Sequence, residues 1–378
     1  MQILIAGDLV PTDKNKDNFM KKDLLKKLDY KFQNIWKNAD YRIFNLECPL
    51  GEGMKPMEKN GASLIANSNT VNGIKSLNPN LVLLANNHIM DYGENGLKNT
   101  TDLLKKYNIS YTGLVNSNKE KFITYYIENN VKIGIYNLCE NEFSVATSKK
   151  IGANPLNEMK NCKEICSEKD KCDYMIVIFH GGKEFYRYPS PNLQRICRNF
   201  IDSGADIVIT QHSHCIGCKE EYNNGTIIYG QGNFIFDNGV NDEYWNTSLL
   251  ISLDIEHEGI KIDYIPIEKS NGLIKISENS KIMEDFYTRT RQIQDNEEFI
   301  EEEYNKFSEQ HLNNYLNIMN KVRFHKKILN RILNRKFYLK TYNKKDCLKI
   351  LNIIECEAHR ELLIRGLKEK IGMKNSNE

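Results

Sequence analysis

From Met1 to Lys269, short β-branched and aliphatic runs alternate with stretches of helical periodicity. That alternation predicts an α/β fold. Leu4-Ile5-Ala6, Arg42-Ile43-Phe44, Leu81-Val82-Leu83-Leu84, Met175-Ile176-Val177-Ile178-Phe179 and Ile207-Val208-Ile209-Thr210 read as buried strands. Two further runs, 124–128 and 131–136, flank Asn129-Asn130 and predict a hairpin with a two-residue turn. The spacing predicts an exposed helix over 97–107 and another over 192–203, closed by Gly204. Later strands are expected over 226–229, 248–255 and 260–267. After Asn279 strand patterns stop and helical periodicity takes over. The predicted division is therefore an α/β domain over 1–279 and a basic helical extension over 280–378.

Charge changes this picture only locally. The formal net charge is +2 and 27% of residues are charged, so no global field points to nucleic acid. No run approaches the ~20 apolar residues of a membrane helix. The opening Met1 to Asp8 lacks the basic start of a signal peptide. A cytoplasmic protein is expected, with any membrane association made through partners or the tail. The ten cysteines fit free thiols in that compartment. Between Lys321 and Lys349, however, eleven Lys or Arg face a single acid, Asp346. Lys321, Arg323, Lys326, Lys327, Arg331, Arg335 and Lys336 recur at three- and four-residue spacings, predicting a docked helix with a positive stripe. Such a stripe suits an anionic polymer or headgroup; a plain solvated face is the other reading.

The candidate chemistry sits where strands end. His212 and His214 follow one strand, and residues i and i+2 share a face, so both rings can enter one site. Asp8, Asn87-His88 and His180 stand just after three other strands. One strand-end histidine means little. Four strand ends carrying Asp, Asn-His, His and His-x-His point to a dinuclear metal centre. Carboxylate, carboxamide oxygen and imidazole suit manganese, iron, zinc or magnesium.

Fragments spread along the chain carry a family resemblance. They run in order from Gly7-Asp8 and Asn45-Leu46-Glu47 to Ala85-Asn86-Asn87-His88-Ile89-Met90-Asp91 and His180-Gly181-Gly182-Lys183-Glu184. Pro189-Ser190-Pro191, His212-Ser213-His214 and Tyr229-Gly230-Gln231-Gly232-Asn233-Phe234 follow. Together they resemble the bacterial capsule-synthesis CapA family (poly-γ-glutamate capsule, PGA_cap) of the calcineurin-like metallophosphoesterase superfamily. The resemblance implies a four-layer sandwich of two mixed sheets flanked by helices, with the C-terminal tail outside it. It also implies two divalent ions. Asp8 and His214 would serve the first and Asn87, His180 and His212 the second, with Glu47 near the bridging position. Two such ions polarise a phosphoryl oxygen and acidify water. His88 falls where the family places a proton donor, oriented by Asp91. Glu184, Gln194 and Asn233 would be substrate-side or supporting groups.

Three positions depart from the superfamily pattern. Val10 stands in place of a first-strand histidine. Gln211 replaces a glycine and is expected to narrow the entrance, and Gly181 replaces a tryptophan and is expected to open it. The implied function is metal-dependent hydrolysis or transfer at a phosphoester, or a related polymer bond, in capsule or surface-polysaccharide production. Its partners would be an anionic polymer or phosphorylated substrate and capsule synthesis or export proteins at the membrane. The rival readings are a non-catalytic metal-binding assembly factor and a polyanion-binding protein acting through the basic tail.

Overall fold

The computed structural model describes residues 1–59, 61–116, 123–256, 259–296, 298–319 and 341–355, with 359, 363, 364, 367 and 371. The basic stripe expected from Lys321 to Lys336 lies outside the described residues. The strands begin with β1 (Gln2–Val10), β2 (Tyr41–Leu46), β3 (Leu81–Leu83), β4 (Tyr111–Thr112) and β5 (Leu114–Val115). Next come β6 (Ile123–Glu128), β7 (Val131–Cys139), β8 (Gly152–Ala153), β9 (Tyr174–His180) and β10 (Ile207–Gln211). The last six are β11 (Ile216–Tyr222), β12 (Gly225–Gln231), β13 (Asn233–Phe236), β14 (Thr247–Glu256), β15 (Gly259–Ser270) and β16 (Leu273–Ile276).

One sheet runs β16-β15-β14-β1-β2-β3-β4 with β13 also paired to β1, and a second runs β11-β12-β10-β9-β7-β6. Both are mixed. β1, β2, β3 and β4 are parallel while β14 is antiparallel to β1, and β7, β9, β10 and β12 are parallel between antiparallel edges.

Alternation along the strands decides the layers. Ile3 and Ile5 of β1 pack with Ile43 and Leu81 of their own sheet and with Ile135, Ile176, Ile178 and Ile209 of the other. Their neighbours Leu4 and Ala6 face the opposite way, into a cluster with Phe19, Phe32 and Trp36. The sheets thus stack face to face with helices outside, the four-layer sandwich that the resemblance implies. On the far side, Phe179 of β9 meets Phe200 of the helix Pro191–Asp202 edge-on, with ring centroids 6.1 Å apart.

Local chemistry explains the elements. Ser190 caps the helix Pro191–Asp202 by accepting from Leu193 N at 3.1 Å, and Pro191 sits at its first turn. Asn129 and Asn130 both adopt positive φ (51° and 64°), as a two-residue hairpin turn between β6 and β7 requires. The helix Gly93–Lys106 is less exposed than its pattern suggests, with Leu97, Thr100 and Leu104 buried. Thr100 Oγ1 accepts from Leu50 N at 2.7 Å, which draws that face inward. The cysteines among the described residues are all free, and none of the described helices is long and apolar enough to cross a membrane.

Two compact units are present, Met1–Glu297 and Glu298–Glu378. The helix Ser280–Asp295, which begins where strand patterns stop, belongs to the first: Phe286 packs with Leu249 of β14 and Ile216 of β11. The second unit contains the helices Phe299–Met319 and Lys344–Glu355.

Candidate metal centre

The ends of β1, β2, β9 and β10 and the loop after β3 converge. Asp8 pairs in register with Asn45 on one side and Asn233 on the other, next to an irregularity in both ladders. Such irregularities re-aim a side chain. Glu47 follows β2, Asn87 follows β3, His180 ends β9, and His212 and His214 follow β10. Both of these last histidines adopt positive φ, 88° and 54°. Non-glycine residues rarely hold that conformation, so the surrounding structure imposes it.

The ligand-type atoms of Asp8, Glu47 and His180 lie within 4.8 Å of one another, as do those of Glu47, His212 and His214. Glu47 is common to both groups. His180 Nε2 is 3.0 Å from Asn87 Oδ1 and 3.2 Å from Glu47 Oε1. His214 Nδ1 is 2.9 Å from Asn233 Oδ1 and 3.5 Å from Asp8 Oδ2. All of these side chains are buried.

Fit to a cation can be judged from the polar bookkeeping. Asp8 Oδ2, both carboxylate oxygens of Glu47 and His212 Nδ1 are buried without a hydrogen-bond partner. Stranding acceptors in this way is costly unless a positive charge meets them. The donor set of carboxylates, carboxamide and imidazoles is that of a divalent ion.

The electrostatics agree. Burial opposes charge on Asp8, yet the close His214 ring, 3.5 Å away, and the charge of His180 hold its carboxyl below the usual range. Burial likewise disfavours protonated His214, but Glu47, Asp8 and Asn233 outweigh it and push its pKa up to about 9. His180 is raised against burial by Glu47 and Asp8. Burial and the neighbouring histidines drive His212 well down, so its ring is neutral, the form that binds metal.

Beside this cluster, His88 Nδ1 lies 2.6 Å from Asp91 Oδ2. Asp91 also accepts from Leu64 N at 2.7 Å and is paired with the buried Lys59 ammonium.

The family description "Bacterial capsule synthesis protein PGA_cap" matches residues 2–238. This chain belongs to that family. It is similar to the capsule biosynthesis protein CapA of Bacillus anthracis, at 31% identity over 261 residues, 65% of this chain and 62% of that protein. It is similar too to the PGA biosynthesis protein CapA of Bacillus subtilis (strain 168), at 31% over 211 residues, 54% of this chain and 55% of that one. The chain thus spans less than two thirds of the length of either relative. A solved structure of a hypothetical protein from Thermus thermophilus aligns at TM-score 0.44 and 12% identity, covering 71% of this chain and 100% of that one.

Within this PGA_cap chain, Asp8, Glu47, Asn87, His180, His212 and His214 come together, with His88, Asp91 and Asn233 around them. Gln194 is placed elsewhere: it lies on the helix Pro191–Asp202 and donates to Glu220 at 3.2 Å. A helix-face residue does not share the strand-end geometry. Glu184 is half-buried in the loop after β9, with no hydrogen bond or ion pair to the cluster among the described residues.

Two departures from the superfamily pattern act differently than expected. Gln211 does not narrow the entrance; it is buried and donates to Ala6 O and Gln231 Oε1, tying β10 to β1 and β12. Nor does Gly181 leave an opening. A Cβ there would lie 2.9 Å from the Phe179 ring and 3.2 Å from Glu140 Oε2.

Four supporting residues were missed from sequence. Asn86 donates to Asn45 Oδ1 at 2.9 Å, and Asn45 in turn donates to Asp8 Oδ1 at 2.8 Å. The Asn86 carboxamide oxygen accepts from His88 N and Ile89 N, shaping the turn that presents Asn87. Lys59 lies in a loop with no pattern to reveal it. Glu140 stands just after β7, and the rule that singled out other strand-end polar residues would have found it.

Proposed function

We propose that this protein is a divalent-metal-dependent hydrolase or transferase acting on a phosphoester, or a related bond of an anionic polymer, in capsule or surface-polysaccharide production. The observation that carries the reading is the set of three buried carboxylate oxygens on Asp8 and Glu47 left without donors and ringed by His180, His212 and His214. Two ions from manganese, iron, zinc or magnesium fit the two groups that share Glu47. Bound there, they would supply Lewis-acid charge and acidify a water molecule.

The chain's own residues do the rest. Asp8 and Glu47 neutralise the cations, and Asn45 and Asn86 hold Asp8 and the Asn87 turn in place. Asp91 fixes His88 through Nδ1, which leaves Nε2 to give a proton to a leaving group. Family membership and the capsule-related names of the relatives support the context. Capsule synthesis or export proteins at the membrane are the proposed partners.

Elemental analysis of protein purified without chelator, joined to an assay on bis(p-nitrophenyl) phosphate, tests the reading. About two ions per chain and metal-dependent turnover are expected. Bound metal without turnover would favour a non-catalytic role in assembly. Absence of bound metal would end the proposal.

A further inference from the structure

Glu140 belongs to neither of the two ligand groups, yet it faces one of their histidines. Its Oε1 lies 3.5 Å from His212 Nε2. The other oxygen accepts from Gly182 N at 3.1 Å, and its own backbone N donates to His180 O at 3.0 Å. The carboxylate is therefore anchored at both ends of the residue, between β7 and the loop after β9. Gly182 holds φ at 111°, a left-handed conformation that turns its amide toward Glu140. Gly181 lets these groups pack closely: a Cβ there would press on Phe179 and on Glu140 Oε2.

On the far side of the same ring, His212 Nδ1 is buried without a hydrogen-bond partner. One imidazole nitrogen thus faces a carboxylate and the other has no hydrogen-bond partner, while the ring as a whole groups with Glu47 and His214. His214 presents the mirrored arrangement, with Nδ1 against Asn233 Oδ1 at 2.9 Å and Nε2 toward Glu47 at 4.0 Å.

We propose that Glu140 is the positioning residue for His212, holding its proton on Nε2 and turning Nδ1 to the cation, while Asn233 holds His214 in the opposite tautomer. The two histidines of the pair then bind through different nitrogens. A carboxylate behind a ligating imidazole fixes the ring's orientation and raises its basicity. The inference rests on the metal centre proposed above, but not on any hydrolytic activity.

The test titrates the metal-free full chain with Mn2+ and compares wild type with Glu140→Gln and Glu140→Ala. One of the two sites should weaken by ~10–100-fold in the alanine variant, with a smaller loss for glutamine, which keeps an acceptor. The other site should be unchanged. Histidine 15N spectra of the zinc-loaded wild type give a readout that needs no folded variant of Glu140. The signal that disappears in His212→Ala should carry its proton on Nε2. Wild-type affinity in both Glu140 variants, or a His212 signal protonated on Nδ1, overturns the role of Glu140 while the metal centre stands. A wild-type chain that binds no Mn2+ overturns both.

Discussion

Asp91 holds His88 through the ring nitrogen Nδ1. The 2.6 Å contact engages Nδ1, no hydrogen bond engages Nε2 among the described residues, and the ring is only 15% exposed. Lys59 closes the back of this pair: its ammonium is 3.4 Å from His88 Nδ1 and is itself paired with Asp91.

His88→Ala should therefore keep its metal and lose at least ~10²-fold in turnover, the scale of a lost general acid. Metal content and rate measured on one preparation decide it. Loss of metal in this variant would assign His88 to the ligands instead.

The double variant His212→Ala/His214→Ala should lose most of its bound metal. It removes two of the three ligands in one group while leaving Asp8 and His180 in the other. Elemental analysis against wild type is the measurement, and equal stoichiometry would move the site elsewhere.

Stability of the metal-free protein should depend on pH in a defined direction. His214 rises from 6.5 to about 9 in the fold, and His180 shifts the same way. A raised pKa contributes stability that is complete below the unfolded value and is lost as pH climbs through the folded one. His212 is depressed and acts in the opposite sense, below 6.5, where its unfolded form takes up a proton that the fold refuses. Between pH 6.5 and 9 the first effect governs, so the melting temperature of metal-free protein should fall across that window. Divalent metal should remove the fall, because it displaces those protons. A flat metal-free profile would count against protons held at the cluster.

Gly7→Ala tests how tightly the Asp8 platform is built. A Cβ at Gly7 would lie 1.9 Å from Gly232 O, a backbone atom that cannot step aside. Forced overpacking costs about 1–3 kcal/mol and shifts backbone. The displaced neighbours include Asn233, the partner of both Asp8 and His214. Denaturant unfolding should show the loss, and metal affinity should fall with it; unchanged stability would mean that β1 and β13 can separate at no cost.

Legibility followed from how strongly each feature depends on local pattern. The α/β class was readable from the alternation of apolar runs and helical stretches, but the sandwich came only through the family resemblance: Ile3, Leu4, Ile5 and Ala6 are all apolar, and only the structure divides them between two layers. The candidate ligands were readable because polar residues at the ends of apolar runs stand out. Asn45 and Asn86 were not, since a carboxamide within or beside a strand looks the same whether it braces a ligand or merely caps an amide. Their role exists only through the relay from Asn86 to Asn45 to Asp8. Gln194 misled for the converse reason: near in sequence to the His180 loop, it sits on a helix face turned to Glu220.

The left-handed backbones of His212 and His214 carry a consequence for anyone who would transplant this centre. A peptide spanning the ligand pair would hold both imidazoles in the right order and still lack the geometry. Free of the sheet, nothing would hold those residues at positive φ, and loop motion on the nanosecond-to-microsecond scale would release them. The histidine segment is therefore a shape lent by β10, β1 and β13, and grafting it onto another scaffold means importing those three strands with it.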